Sequence, residues 1–472
     1  MMRTFAVVAA VSLLGACSVT RPSPGPQPGL PTAWYAPPLA HEGQTRQLAA
    51  WWSRFQDPLL VELIGQAQVH SPSVAAARAQ VWTARAALAG ADAVRGPQAN
   101  LVASAASGQS SSDVPLGNSL AAGVQASWAL DVWGQAAARS AGAQAQQDAA
   151  QAGWHEARVL VAAETAQAYF GYRHCLALLA VAQRDRDSRQ ATQRSLSTTE
   201  QAGLTAPAVA ALARASSAEG AVRAQQQAEQ CDRQIKALVA LTATPEPDLR
   251  ARVAAAPPTD PQGPPVWLAV DAVPAQVIRQ RPDVYRAQRE LVAAAEAAGV
   301  ARAALLPSLT LQGSALRNRF SSAGTSSTFN TWSIGPLTLS LPLLGRGALG
   351  AEADAAQARY SAAGQAYAAA LRQAVADVER ALVTLSGLRQ RAADTDTALD
   401  GYTRSFTATE ARHRVGLADL NELEEARRLR LNAEGIALAL RQERIDAWIA
   451  LYVALGGGFD PDQLPNALQD PA

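Results

Sequence analysis

Apolar residues occupy every second position from 120 to 132. Leu120, Ala122, Val124, Ala126, Trp128, Leu130 and Val132 alternate with residues that include Gln125, Ser127 and Asp131. A period of two predicts a strand with one apolar face. Leu309, Leu311, Gly313 and Ala315 alternate in the same way with Ser308, Thr310, Gln312 and Ser314. Trp332, Ile334, Leu337, Leu339 and Leu341 form a further run whose phase slips at Gly335-Pro336, which predicts a bulge. Residues 100–107 give a weaker fourth strand, and the hydrophilic stretches 107–119 and 317–331 read as loops joining each pair. Elsewhere the pattern is helical. Segments 134–203 and 350–416 contain no proline, and about 65 helical residues would span roughly 100 Å. Returning helices are expected over 208–241 and 419–455. Val378, Leu385, Ala392, Leu399 and Phe406 recur every seven residues, as do Leu431, Leu438, Ile445 and Tyr452. That spacing keeps one seam facing a partner helix, the coiled-coil condition. Many seam positions are only alanine, so these helices must pack closely and need neighbours.

The pattern occurs twice. Pro72 and Pro97 lie 25 residues apart, as do Pro282 and Pro307. Gly134 and Gly203 are answered by Gly345 and Gly416, and Leu-Val-Ala-Leu ending at Leu241 by Tyr-Val-Ala-Leu ending at Leu455. The chain is therefore two tandem copies of a strand pair followed by a long helical hairpin. Residues 51–244 form the first copy, 245–266 a proline-rich linker, 267–458 the second copy and 459–472 a tail.

About ten residues with one apolar face is the signature of a transmembrane β-strand, although a half-buried soluble hairpin alternates identically. Four strands cannot close a barrel, and an open edge is not tolerated in lipid. Two chains would supply eight strands, whose interior side chains fill, so a passage needs at least three chains and twelve strands. Closed cyclic symmetry supplies that number. The pattern therefore predicts a chain that is mainly α with transmembrane β, whose strand pairs need at least two further copies to enclose a passage.

The N-terminus reads as an export signal over residues 1–16, with Arg3, a short apolar run and Gly15-Ala16 before a cut. Leu14-Gly15-Ala16-Cys17 resembles a bacterial lipobox, which makes Cys17 the expected lipidated N-terminus of a tether over 17–50. Ser18 follows it, which by resemblance to lipoproteins permits transfer to the outer membrane. Acyl chains anchor weakly one at a time, so a second membrane contact is expected. The charges nearly cancel, with 41 basic and 40 acidic residues, so no nucleic-acid partner is expected. No later run is long and apolar enough for a spanning helix.

Further motifs carry a resemblance. Trp51-Trp52-Ser-Arg-Phe55-Gln-Asp57-Pro58-Leu59-Leu60, Trp128-Ala-Leu130-Asp131-Val-Trp133-Gly134 and Arg279-Gln-Arg281-Pro282-Asp283-Val284 are similar to those of the outer-membrane factor family, the TolC-like ducts. Ala301-Arg302-Ala303-Ala304-Leu-Leu-Pro307-Ser308 and the terminal Ala454-Leu455-Gly456-Gly457-Gly458 fit it too. With the lipobox, the resemblance points to the lipoprotein efflux branch. It implies a homotrimer with a twelve-stranded β-barrel in the outer membrane, continued inward by a periplasmic α-helical barrel that docks to an adaptor protein and an inner-membrane pump. Glu422 and Glu425, six and nine residues after Gly416, match the carboxylates that line the closed periplasmic aperture of such ducts. Six of them around one opening would form a cation-selective ring. The family often has aspartate at these places. The plainer reading is a solvated helix face on which Arg428 pairs with Glu425 and with Glu424. The first copy has Ala206-Pro207-Ala208-Val209 there and offers no acid.

Other candidate chemistry is weak. Gly345-Arg-Gly347-Ala-Leu-Gly350 fits a dinucleotide fingerprint, but the following helix runs on with no second strand, so the glycines are expected to make the strand-to-helix corner. His41, His70, His155, His174 and His413 have no metal spacing. No catalytic motif, cofactor or metal is expected. Cys175 and Cys231 lie equally far from the turn residue Gly203, so two antiparallel helices would bring them to one height. In an oxidising compartment such a pair is a disulfide candidate, the alternative being two buried thiols. A duct for secreted polypeptides and a poreless periplasmic coiled-coil scaffold are the alternative functions.

Overall fold

A computed structural model describes residues 51–109, 116–256, 278, 281–322 and 324–459. The lipobox with Cys17, the export signal, the tether and the tail from 460 lie outside these residues. The elements follow in order: a 3-10 turn Trp52–Phe55, α1 Pro58–His70, α2 Pro72–Ala93, β1 Gln98–Gly108, β2 Gly117–Leu130, α3 Gln135–Gln201, α4 Pro207–Thr242 and α5 Glu246–Ala255. The second half supplies α6 Pro282–Ala303, β3 Ser308–Ser322, β4 Thr325–Ser340, α7 Arg346–Arg414 and α8 Leu420–Ala454. They form two compact units, and each draws on both sequence copies.

The first unit takes Arg78–Gly153 and Val284–Ala370. Its four strands form one antiparallel sheet in the order β1-β2-β3-β4, so the strand pairs of the two copies join edge to edge. The register places Leu101, Val124, Ala315 and Trp332 in one rung, and Trp128, Leu311 and Leu337 in another. One apolar face thus crosses all four strands. Among the described residues nothing covers it: Leu101 is 84% exposed and Ile334 82%. The bulge falls where the phase slips, since Leu311 pairs with Leu337 but Gly313 with Ile334. The expected loop over 317–331 is not one. The strand β3 runs on to Ser322 and β4 starts at Thr325, with Gly324 turning at φ +85° just before it. Backbone ladders need no apolar side chains, and polar neighbours still meet across them, as Asn318 Nδ2 donates to Thr331 Oγ1 at 2.9 Å. Gly123 is required by the sheet itself, because a Cβ there would lie 2.1 Å from the Ala315 carbonyl oxygen.

The motif around Asp131 explains the corner into α3. The Asp131 carboxylate accepts from the amides of Ala136 at 2.9 Å and Ala137 at 2.8 Å, and Gly134 takes φ +76°. Those amides would otherwise lack partners in the first turn of the helix. At the matching corner Gly345 alone takes the left-handed backbone, at φ +81°, whereas Gly347 and Gly350 already belong to α7.

The second unit holds Trp154–Asp283, Leu371 onward and the segment before Arg78. Its core gathers Trp51, Trp52, Leu60, Leu63, Tyr169, Ile235, Leu238, Leu382, Ile449 and Tyr452. Asp57 organises its edge. It caps α1 through the Leu59 and Leu60 amides, accepts from the Tyr169 hydroxyl at 2.5 Å and pairs with Arg173 at 2.8 Å. Burial and the Asp57 hydrogen bond together raise the Tyr169 hydroxyl well above its ordinary pKa. Arg281 donates to the Ala454 carbonyl and pairs with Asp283 and Asp377, which gives the Arg-Pro-Asp motif a bracing role. Along the heptad seams Val378, Leu385, Phe406, Ile445 and Tyr452 are buried, but Ala392, Leu399, Leu431 and Leu438 only in part. The linker region opens differently from expectation: residues 246–255 are helical, and Leu249 and Val253 join the core. These two apolar residues, four apart, hold one helix face against it.

Candidate functional site

The long helices reverse at two glycines. Gly203 has φ +74° and the Leu204 amide reaches back to the Thr199 carbonyl at 2.8 Å. Gly416 has φ +76° and the Leu417 amide reaches the Arg412 carbonyl at 2.9 Å. Both are helix ends closed by a left-handed residue, where glycine meets no side-chain penalty. The tips differ in their re-entry. Ala206 has no capping side chain before α4, whereas Asp419 caps α8 by accepting from the Glu422 amide at 2.8 Å. Arg412 further donates to the Leu417 carbonyl at 2.9 Å, and His413 Nδ1 lies 3.0 Å from the Ala418 carbonyl oxygen. Leu204 at one tip and Val415 and Leu417 at the other are exposed.

Three glutamates follow the Asp419 cap and take two different roles. Glu422 and Glu425 share one exposed face of α8, as their spacing of three dictates. Glu425 pairs with Arg428 at 2.6 Å, and Glu422 lies 3.4 Å from Arg412. Hydrogen bonds from Arg428 hold the Glu425 carboxyl below its ordinary pKa, and the same bonds raise Arg428. Exposed pairs of this kind contribute little to stability. Glu424 does not pair with Arg428 as expected. It turns inward to Arg189 at 2.7 Å, to the Ser216 hydroxyl at 2.9 Å and to Arg427.

That inward face holds a buried ion cluster that the motif reading missed. Arg189 donates from Nε to Asp185 at 2.9 Å and from Nη1 to Ser216 at 2.5 Å. Arg427 is fully buried, pairs with Glu424, and donates to Ser188 at 3.1 Å and Thr192 at 3.2 Å. Two acids and two bases thereby join α3, α4 and α8. Burial pushes the Arg427 guanidinium below its ordinary pKa, and the Arg189 charge adds to this while Glu424 and Asp185 oppose it. Phe406, Leu423 and Ala426 pack as a small apolar cluster, and Arg427 stands 5.9 Å over the Phe406 ring. The sequence held a signal: Leu423, Arg427 and Leu431 recur every four residues, which places the arginine on the apolar stripe.

Cys175 and Cys231 are buried where α3 and α4 face each other, with Cα atoms 5.5 Å apart and their sulfurs joined. That separation lies within the disulfide range. We propose that the bridge forms in the exported protein and stiffens the first hairpin only. Thiol labelling of unfolded, unreduced protein should then find no reactive thiol from this pair, and two per chain would refute it. Among the described residues no group of three metal-ligating side chains is assembled. No helix among them is long and apolar enough to cross a membrane.

Known proteins share this architecture. The family model described as outer membrane efflux protein matches residues 63–244 and 273–457. The pyoverdine export outer membrane protein OpmQ of Pseudomonas aeruginosa is 30% identical, with 99% of this chain and 100% of that protein covered. Nodulation protein T of Rhizobium leguminosarum bv. viciae is 27% identical over 97% of this chain and 94% of its own length. In structure the chain resembles the CmeC outer membrane channel of Campylobacter jejuni, with a TM-score of 0.82, 21% identity, and 96% of this chain and 97% of that one covered. It also resembles the open MtrE channel of Neisseria gonorrhoeae, with a TM-score of 0.78, 24% identity, and 94% and 99% covered. The chain belongs to the outer membrane efflux protein family.

Proposed function

We propose that the chain is the outer-membrane exit duct of a tripartite efflux pump for small compounds, working as a homotrimer. The observation that carries this is the sheet: four strands, an apolar face that crosses all of them, and edges at β1 and β4 that no other described strand pairs with. In lipid such a sheet must close on further copies, and three copies give twelve strands. Helices that long, with many small seam residues, extend the passage into the periplasm in this reading. The exposed Leu204, Val415 and Leu417 at the tips offer apolar contacts to an adaptor protein, which would link the duct to an inner-membrane pump. Cys17 carries the lipid anchor in this reading, with the barrel as the second membrane contact. The duct is passive: the pump supplies the free energy, and no chemistry is assigned to this chain. Protein extracted from outer membranes in detergent should run as three chains, begin at an acylated Cys17 by mass spectrometry, and open channels in planar bilayers. A monomer that stays soluble without detergent would sink the barrel, and an unmodified or downstream N-terminus would sink the anchor.

A further inference from the structure

The four strands contain no lysine, aspartate or glutamate, and their only charged residues are Arg317 and Arg319 on β3. Both are exposed, and neither has an ion-pair partner among the described residues. Their placement is specific. Leu309, Leu311, Gly313 and Ala315 put the odd-numbered side chains of β3 on the apolar face, so Arg317 and Arg319 continue that face toward the β3–β4 turn. They stand about 7 and 14 Å beyond Ala315 along the strand. On β2 their cross-strand neighbours are Ala122 and Leu120, and on β4 Asn330 and Thr328. Trp332 sits one step below, opposite Ala315. The order along this face is therefore aliphatic band, tryptophan, then guanidinium beside amide and hydroxyl. Because β3 is paired on both sides, no further copy of the sheet can cover these arginines by edge pairing.

On a lipid-facing surface a guanidinium is tolerated at the membrane interface and disfavoured deeper, while tryptophan prefers that interface. An unpaired arginine there needs an anion. Guanidinium binds phosphate bidentately and stays charged at every relevant pH, which lysine matches less well. The hairpin ends of the strands lie opposite the ends that continue into helices, so in a duct whose helices enter the periplasm these arginines meet the outer leaflet. We propose that Arg317 and Arg319, with Asn330 and Thr328 beside them, form a binding site for the phosphate groups of the outer-leaflet glycolipid, lipid A. Each trimer would carry three such sites, one on each chain's β3. The proposal rests on the barrel reading above.

Native mass spectrometry of the full-length trimer, released from detergent with added lipid A, dephosphorylated lipid A or phosphatidylglycerol, tests it. Wild-type trimer should retain lipid A in up to three copies, and roughly tenfold less of the dephosphorylated form, as loss of charge-assisted hydrogen bonds implies. Arg317→Gln with Arg319→Gln should lose lipid A to a similar degree. Arg389→Gln, which removes an exposed arginine outside the sheet, should not. Equal retention of the two lipid A forms by wild-type protein would overturn the site without recourse to any variant. Equal retention of phosphatidylglycerol would overturn the assignment to the glycolipid. A chain that never trimerises or inserts fails the barrel reading instead, and the two failures are told apart by the trimer mass itself.

Discussion

Arg427→Met should loosen the second hairpin tip by about 3–5 kcal/mol, the usual result of leaving a buried charge without its partner. The cluster has two acids, Asp185 and Glu424, and two bases, Arg189 and Arg427. Removing one base leaves a net negative charge among side chains that are at most 21% exposed. Arg189 already serves Asp185, Ser216 and Glu424, and it cannot also replace the donors that Arg427 gives to Ser188 and Thr192. The loss should be local, since local openings range from fraying to global unfolding. Hydrogen exchange should show faster opening over the first turns of α8 and the facing part of α3, while the core around Tyr169 and Leu382 keeps its protection. Adding Glu424→Gln to Arg427→Met removes the stranded acid and should recover part of the loss, because residues in one network couple. Unchanged exchange in the single variant would reduce the cluster to a solvated set of pairs.

Legibility of this chain in sequence followed the physics of each element. The alternation in β2 and the lower half of β3 was readable because one face is apolar throughout. The upper halves of β3 and β4 were not, because residues such as Asn318, Arg319, Thr328 and Asn330 carry no alternation although their backbones pair. The bulge was readable from Gly335-Pro336, since the apolar phase must slip where two residues oppose one. Residues 246–255 read as linker because prolines flank them, yet Pro at the first turn starts helices readily. The turn glycines stood out through the repeat. The buried cluster did not, since Arg427 and Arg428 are adjacent and charge alone cannot say which faces inward. Only the spacing of Leu423, Arg427 and Leu431 separates them.

The exposed acids should control ion passage. We propose that Glu422 and Glu425 line the periplasmic constriction of the trimer, six carboxylates around one opening. Glu422→Ala with Glu425→Ala should then lower the preference for cations severalfold in single-channel recordings, since a carboxylate ring acts through its summed charge. Arg428→Ala should act in the opposite direction. It removes the cation that neutralises Glu425 across 2.6 Å and leaves that carboxylate free to face the passage. This opposition of sign separates the two readings of the face. A merely solvated helix surface would leave selectivity unmoved by all three changes. The buried and exposed faces of α8 are linked here, because the Arg427 cluster fixes the rotation of the helix that presents Glu422 and Glu425. A helix released from that cluster should no longer hold the ring closed, so Arg427→Met channels should open more often and more widely than those of the double Ala variant. If the double Ala channels match wild type in conductance and selectivity while Arg427→Met channels open, the constriction is held by packing, and the exposed acids have no part in it.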